Sequence, residues 1–300
     1  MPMPYSVLTS EIDIATRATV TALESLNLDC CLVGSVACFA YGMSRTPNDI
    51  DMVVLTSRYT QERLKSFLVH LDARFYLIAS KDPSATYRVL WFRLPGYHRS
   101  CKVDLLLPGI MNIPSVDPNR VVRIQDSMNV LNSPGYASSL TLSTDYPLMP
   151  FLPLLLLKLQ AWQDHGESPK LFMRQKQPTD VRDIQELLQL AEQKYATAGT
   201  DVRKLRLVKS RYHKETTVEV QTKQPSLLQV ETPHLPESFV QDGKTRVRKF
   251  IGMYPWSEKQ WKILGFSKSD ITDATIAAGK SAQGDIRSLE NMMSSLVIDL

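Results

Sequence analysis

A short apolar run, Cys30-Cys31-Leu32-Val33, stops at Gly34-Ser35, and fourteen residues beyond that serine Asp49-Ile50-Asp51 opens a second apolar run, Met52-Val53-Val54-Leu55. Few chain arrangements satisfy both halves. The first run has strand length, and the break before Val36, Ala37, Phe39 and Ala40 predicts strand, tight turn, then a short packed helix. In the second run successive side chains take opposite faces, so Asp49 and Asp51 share one face about 6.6 Å apart, with Ile50, Met52 and Val54 on the other. Two carboxylates side by side at the start of an apolar strand repel each other unless a cation joins them.

Gly34 has no Cβ to hold a ligand off, and Ser35 offers a hydroxyl and a backbone N–H at a helix start, where the dipole favours anions such as phosphate. The same pair also suits a plain turn with a capped helix. The aspartates suit Mg²⁺ (or Mn²⁺), a hard cation taking oxygen ligands and shared between one or two carboxylates and substrate phosphates. Solvated aspartates at a strand edge are the simpler alternative. A third carboxylate follows. Tyr87 to Leu94 and Cys101 to Leu107 are β-rich runs joined by Pro95-Gly96-Tyr97-His98-Arg99-Ser100, a hairpin pattern, and Asp104 lies inside the second run on the face of Lys102. A charge in so apolar a strand marks an exposed edge or a functional position.

Together, Gly34-Ser35, the spacing to Asp49-Ile50-Asp51 and the later Val103-Asp104-Leu105 resemble the core of the polymerase-beta-like nucleotidyltransferase superfamily, over roughly residues 10 to 110. The resemblance implies that Asp49 and Asp51 bind metal, that Asp104 completes the site, and that Gly34, Ser35 and Arg45 meet the nucleotide. Further on, Leu154-Leu155-Leu156-Leu157-Lys158-Leu159-Gln160-Ala161 and the stretch from Thr179 to Leu188 are similar to the helical half of AbiEii-like nucleotidyltransferases, toxins of type IV toxin–antitoxin and abortive-infection systems. Their later motifs are a helix lysine and a Lys-Asp pair before an Asp-Ile/Leu step. Lys158 and Asp180 match, whereas Thr179 stands where a lysine is common. The implied catalytic set is Asp49, Asp51, Asp104, Lys158 and Asp180, with Lys158 also a nucleotide contact.

Without the resemblance, Phe151 to Trp162 reads as a buried helix of about twelve residues, short of the roughly 20 that span a bilayer. Its one charge, Lys158, either reaches the surface, pairs with Asp183, or meets phosphate. Asp180 follows Pro178-Thr179 in the first turn of a helix and alone reads as a dipole-complementing acid. Ser10 with Asp13 predicts a capping box for a helix to about Leu28, Tyr59 to Leu71 another helix, and Arg74 to Ala79 a strand. Strand pieces are expected at Val121 to Ile124 and at Val130-Leu131.

The expected fold is α+β: a nucleotidyltransferase core with a mixed sheet flanked by helices over residues 1–145, then a mainly helical part over 146–300 with a polar segment around 201–245. Arg203, Lys204, Arg206, Lys209, Arg211, His213 and Lys214 cluster there, either as an arm tracking RNA or as a solvated helix end with a linker. Trp256, Trp261 and Phe266 are expected to anchor a closing helix. A net charge of +4, from 35 basic and 31 acidic residues, is too slight for a dedicated nucleic-acid binder. Four cysteines without zinc spacing, no membrane-length apolar stretch and no secretory pattern point to a cytoplasmic protein.

The activity these residues predict is transfer of a nucleoside monophosphate from a triphosphate to an acceptor hydroxyl, with tRNA, a protein side chain and a small molecule as the acceptor classes left open. A silent nucleotide- or partner-binding protein is one alternative. A metal-dependent phosphohydrolase is another, although the His-Asp type needs clustered histidines, and His70, His98, His165, His213 and His234 are scattered.

Overall fold

The computed structural model describes residues 6–81, 85–123, 145–195, 201–207, 216–222 and 225–272. Seven strands form one mixed sheet: β1 (Cys30–Val33), β2 (Asp49–Val54), β3 (Phe75–Ala79), β4 (Arg88–Arg93), β5 (Ser100–Leu106), β6 (Val122–Arg123) and β7 (Pro147–Leu148), in the order β3-β4-β5-β2-β1-β7-β6. β2 is antiparallel to β1 and parallel to β5, while β4 and β5 make the expected hairpin. Three of the first helices are α1 (Thr9–Ser25), α2 (Gly34–Ala40) and α3 (Gln61–Leu71). α1 and α3 pack on each other and on the sheet, burying Ile12, Ala15, Leu23, Leu64 and Leu68 against strands that bury Ile50, Met52, Leu90, Phe92 and Val103. Each of these side chains larger than alanine contributes roughly 1.5–3 kcal/mol. The expected strand at Val130-Leu131 falls outside the described residues.

The start of α1 differs from the expected box. The cap is Leu8 rather than Ser10, and Glu11 closes the turn by accepting the Leu8 N–H at 2.8 Å. Asp13 instead accepts the Tyr146 hydroxyl at 2.5 Å and pairs with Arg17 at 3.0 Å. The local pattern missed Glu11 because its second partner is distant: Arg99, in the turn before β5, donates to it at 2.5 Å. The Arg99 guanidinium holds the Glu11 carboxyl below its ordinary 4.5, outweighing burial. Glu11→Gln is therefore expected to cost about 2–3 kcal/mol at neutral pH, because it leaves Arg99 without its counter-charge. A carboxylate with a lowered folded-state pKa stabilises above its unfolded pKa and stops doing so as pH falls through the folded value. The gap in denaturation midpoint between wild type and Glu11→Gln should accordingly close below about pH 4.5.

The chain divides into two compact units, Met1–Lys158 with His234–Phe239 and Leu159–Pro233 with Val240–Leu300. The division falls within α4 (Phe151–Glu167), which is 17 residues long rather than about twelve. In the second unit follow α5 (Leu171–Arg174), α6 (Gln177–Tyr195), β8 (Asp201–Leu207), β9 (Thr216–Thr222), α7 (Leu227–Glu231), α8 (Glu237–Met253, entering from the first unit), α9 (Glu258–Ile263) and α10 (Lys268–Thr272). The basic stretch that read as a helix end or linker has strand backbone at 201–207, paired antiparallel with 216–222. Lys209, Arg211, His213 and Lys214 lie outside the described residues. Trp162, Phe250, Trp261 and Phe266 are buried, with Trp162 edge-on to Phe250 at 5.0 Å and Trp261 edge-on to Phe266 at 5.3 Å. Trp256 is not an anchor, being 44% exposed. Among the described residues no helix is long and apolar enough to cross a membrane.

Candidate functional site

The register of β2 and β5 builds the site. Asp51 lies opposite Asp104, and Asp49 opposite Lys102. Opposite residues share a face, and so do residues two apart along a strand, so these four charges form a two-by-two patch. β2 stays in place because Ile50, Met52, Val53 and Val54 are fully buried. The apolar half of the strand therefore fixes where its two aspartates stand.

The Gly-Ser turn at the end of β1 meets that patch from the other side. Val33 is opposite Asp51, and Gly34 follows with φ +62°, a conformation that favours glycine. A Cβ on Gly34 would stand 2.0 Å from Asp51 Oδ2 and 2.9 Å from its Cγ. Glycine at 34 is thus required by the aspartate at 51, a dependence that the sequence shows only as spacing. The buried Ser35 directs its hydroxyl toward Asp49 Oδ1 at 3.5 Å, the outer limit of a hydrogen bond. Each residue of the turn therefore faces one aspartate.

Electrostatics crowd negative charge at the patch. Burial, then the charges of Asp49 and Asp104, push Asp51 up to about 7, against the opposing influence of Lys158 and Lys102. Lys102 forms a short ion pair with Asp104. Burial works against the Lys102 charge, but Asp104, Asp49 and Asp51 together more than offset it and raise its pKa. The alternation of β5 placed Lys102 beside Asp104 in the sequence without assigning it a role; the ion pair supplies one.

Lys158 belongs to the same unit. Leu32 O accepts the Met149 N–H at 2.9 Å, the Tyr41 hydroxyl donates to Met149 O at 2.9 Å, and Tyr41 stands edge-on to Phe151 at 5.3 Å. Those contacts tie the start of α4 to β1 and to the residue after α2. Lys158 follows Phe151 by two helical turns, on the same side of α4, and its ammonium is felt at Asp51. Arg45 lies half-buried in the bend between α2 and β2. Asp180, in the first turn of α6, belongs to the second unit, is buried, and is hydrogen-bonded to His165 Nδ1 at 2.5 Å. The sequence reading counted His165 only among scattered histidines; it reaches Asp180 from another helix.

Among the described residues no three His, Cys, Asp or Glu side chains already converge as a metal cage. The donor set still fits a hard divalent cation. Three carboxylates with two nearby ammoniums leave excess negative charge, and a cation held by one or two carboxylates and completed by phosphate oxygens needs no closed protein cage. All four cysteines are buried, and burial pushes the Cys30 and Cys101 thiols up to about 12, which disfavours the thiolate form that a metal would need.

No family model and no curated protein matches the chain. Among solved structures it is similar to an antigenic nucleotidyltransferase-like protein from Paracoccidioides brasiliensis, with TM-score 0.41 and 19% identity, covering 62% of this chain and 79% of that one. It is also similar to the antibiotic-resistance factor ANT(2'')-Ia, with TM-score 0.33 and 9% identity over 64% and 96% of the two chains. A third is terminal uridylyl transferase 4 from Trypanosoma brucei, solved with bound GTP, with TM-score 0.26 and 11% identity over 82% and 67%.

Proposed function

We propose that this chain is a metal-dependent nucleotidyltransferase, moving a nucleoside monophosphate from a triphosphate to an acceptor hydroxyl with release of pyrophosphate. The supporting observation is the fit between a glycine that must lack a Cβ and Asp51, itself in register with a third carboxylate, Asp104. Asp49, Asp51 and Asp104 would hold Mg²⁺ or Mn²⁺. The bound cation would neutralise phosphate charge and polarise the transferred phosphorus.

The remaining steps belong to the chain. Gly34 leaves room for the Asp51 carboxylate, Ser35 steadies Asp49, and Gly34, Ser35 and Arg45 line the approach of the triphosphate. Asp104 takes the proton of the attacking hydroxyl as its oxygen bonds to the α-phosphorus, and the bond from that phosphorus to the bridging oxygen breaks, releasing pyrophosphate. Lys158 offsets charge on the transferred group. Lys158 and Asp180 are also the grounds for reading the chain as AbiEii-like, acting in the cytoplasm on a hydroxyl of tRNA, protein or a small molecule.

If the patch binds metal and triphosphate together, Mg²⁺ or Mn²⁺ with a triphosphate raises the melting temperature, and the rise grows with the logarithm of ligand concentration above Kd. Asp51→Asn should remove most of that rise. Equal shifts in both proteins would dismiss the site.

A further inference from the structure

We propose that Lys102 is a tethered counter-cation that occupies the carboxylate patch in the metal-free protein and makes metal binding depend on arrival of the triphosphate. This rests on the nucleotidyltransferase reading above and adds a residue to it. Lys102 stands opposite Asp49 in register and two residues from Asp104 on the same strand face. Its ammonium is paired with Asp104. Side-chain exposures of 36% and 33% for Lys102 and Asp104 leave the ammonium a path to solvent.

The consequence is competition. A dication sharing Asp104 with Asp49 and Asp51 would sit within a few ångströms of the Lys102 ammonium, and at such distances like charges repel strongly even near a protein surface. The ammonium and the cation therefore exclude each other at Asp104. Once displaced, the ammonium needs an anion, and the triphosphate brings several negative oxygens to the same face. Metal alone must evict Lys102 without compensation, whereas metal with triphosphate gives it a new partner. Lys102 thus couples the two ligands.

The test is Mn²⁺ titration of the full chain, followed by the paramagnetic resonance signal of the free ion, and triphosphate titration at saturating Mn²⁺ by calorimetry. Lys102→Met keeps the apolar stem and loses the charge. It should bind Mn²⁺ alone roughly tenfold tighter and the triphosphate several-fold more weakly, the scale expected from removing one partly exposed charge. Lys102→Arg keeps the charge and should stay close to wild type on both readouts. Unchanged or weakened Mn²⁺ affinity in Lys102→Met, with Asp51→Asn still abolishing binding, would overturn the role of Lys102 and leave the site standing. Absence of Mn²⁺ binding in every protein, with or without triphosphate, would overturn both.

Discussion

Gly34→Ala is expected to abolish nucleotide transfer and to cost about 1–3 kcal/mol of stability, the scale of a side chain forced into a left-handed backbone conformation. Two penalties act together. The backbone at φ +62° disfavours any Cβ, and the added atom would overlap Asp51 Oδ2 at 2.0 Å. Asp51 cannot retreat along its strand, because Ile50 and Met52 on either side are fully buried; its carboxylate has to rotate away from Asp104 and Asp49. Gly109 supplies the control. It also has positive φ, +82°, but an added Cβ there meets nothing within 4 Å. Gly109→Ala should therefore show the backbone cost alone, about 1 kcal/mol, with transfer intact. Wild-type transfer by Gly34→Ala would separate the turn from the chemistry.

Asp104→Asn is expected to slow transfer by about a hundred- to a thousandfold, the range for removing one electrostatic group aimed at a transition state. Triphosphate binding should survive, since the turn, Asp49 and Asp51 are untouched. Stability should move by no more than about 0.5 kcal/mol. The lost ion pair with Lys102 is partly exposed and worth little, and removing the Asp104 charge relieves one of the influences that raise Asp51. A structural role would show the reverse, a fall in melting temperature with the residual rate following the folded fraction.

Local signals carried the framework of the site. Cys30–Val33, the turn at Gly34 and the strand opening at Asp49 form as the alternation and the glycine break predict, because these elements are defined by neighbours in sequence. The face shared by Asp49 and Asp51 was legible for the same reason. What the sequence could not show were partners fixed by tertiary register. The pairing of Asp51 with Asp104 depends on β2 and β5 lying parallel across an intervening helix and two strands. Arg99 chooses Glu11 over Asp13 from the turn before β5, and His165 reaches Asp180 from a neighbouring helix. The pairing of 201–207 with 216–222 failed to register because the charged residues between and within those stretches mimic a linker. Trp256 misled for a different reason: helical spacing gives an average face, and the short helical turn Pro255–Ser257 leaves that indole half outside the core.

The proposed activity rests on the patch of Asp49, Asp51 and Asp104. The most direct measurement incubates purified wild type and Asp104→Asn with each of the four triphosphates labelled at the α-phosphate, Mg²⁺, total RNA and cell lysate, and follows label retained in macromolecules. Wild type is expected to transfer label from at least one triphosphate, chelating the metal to stop it, and Asp104→Asn to transfer at most about one hundredth as much. Equal labelling by the two proteins, or labelling that persists after chelation, would contradict it.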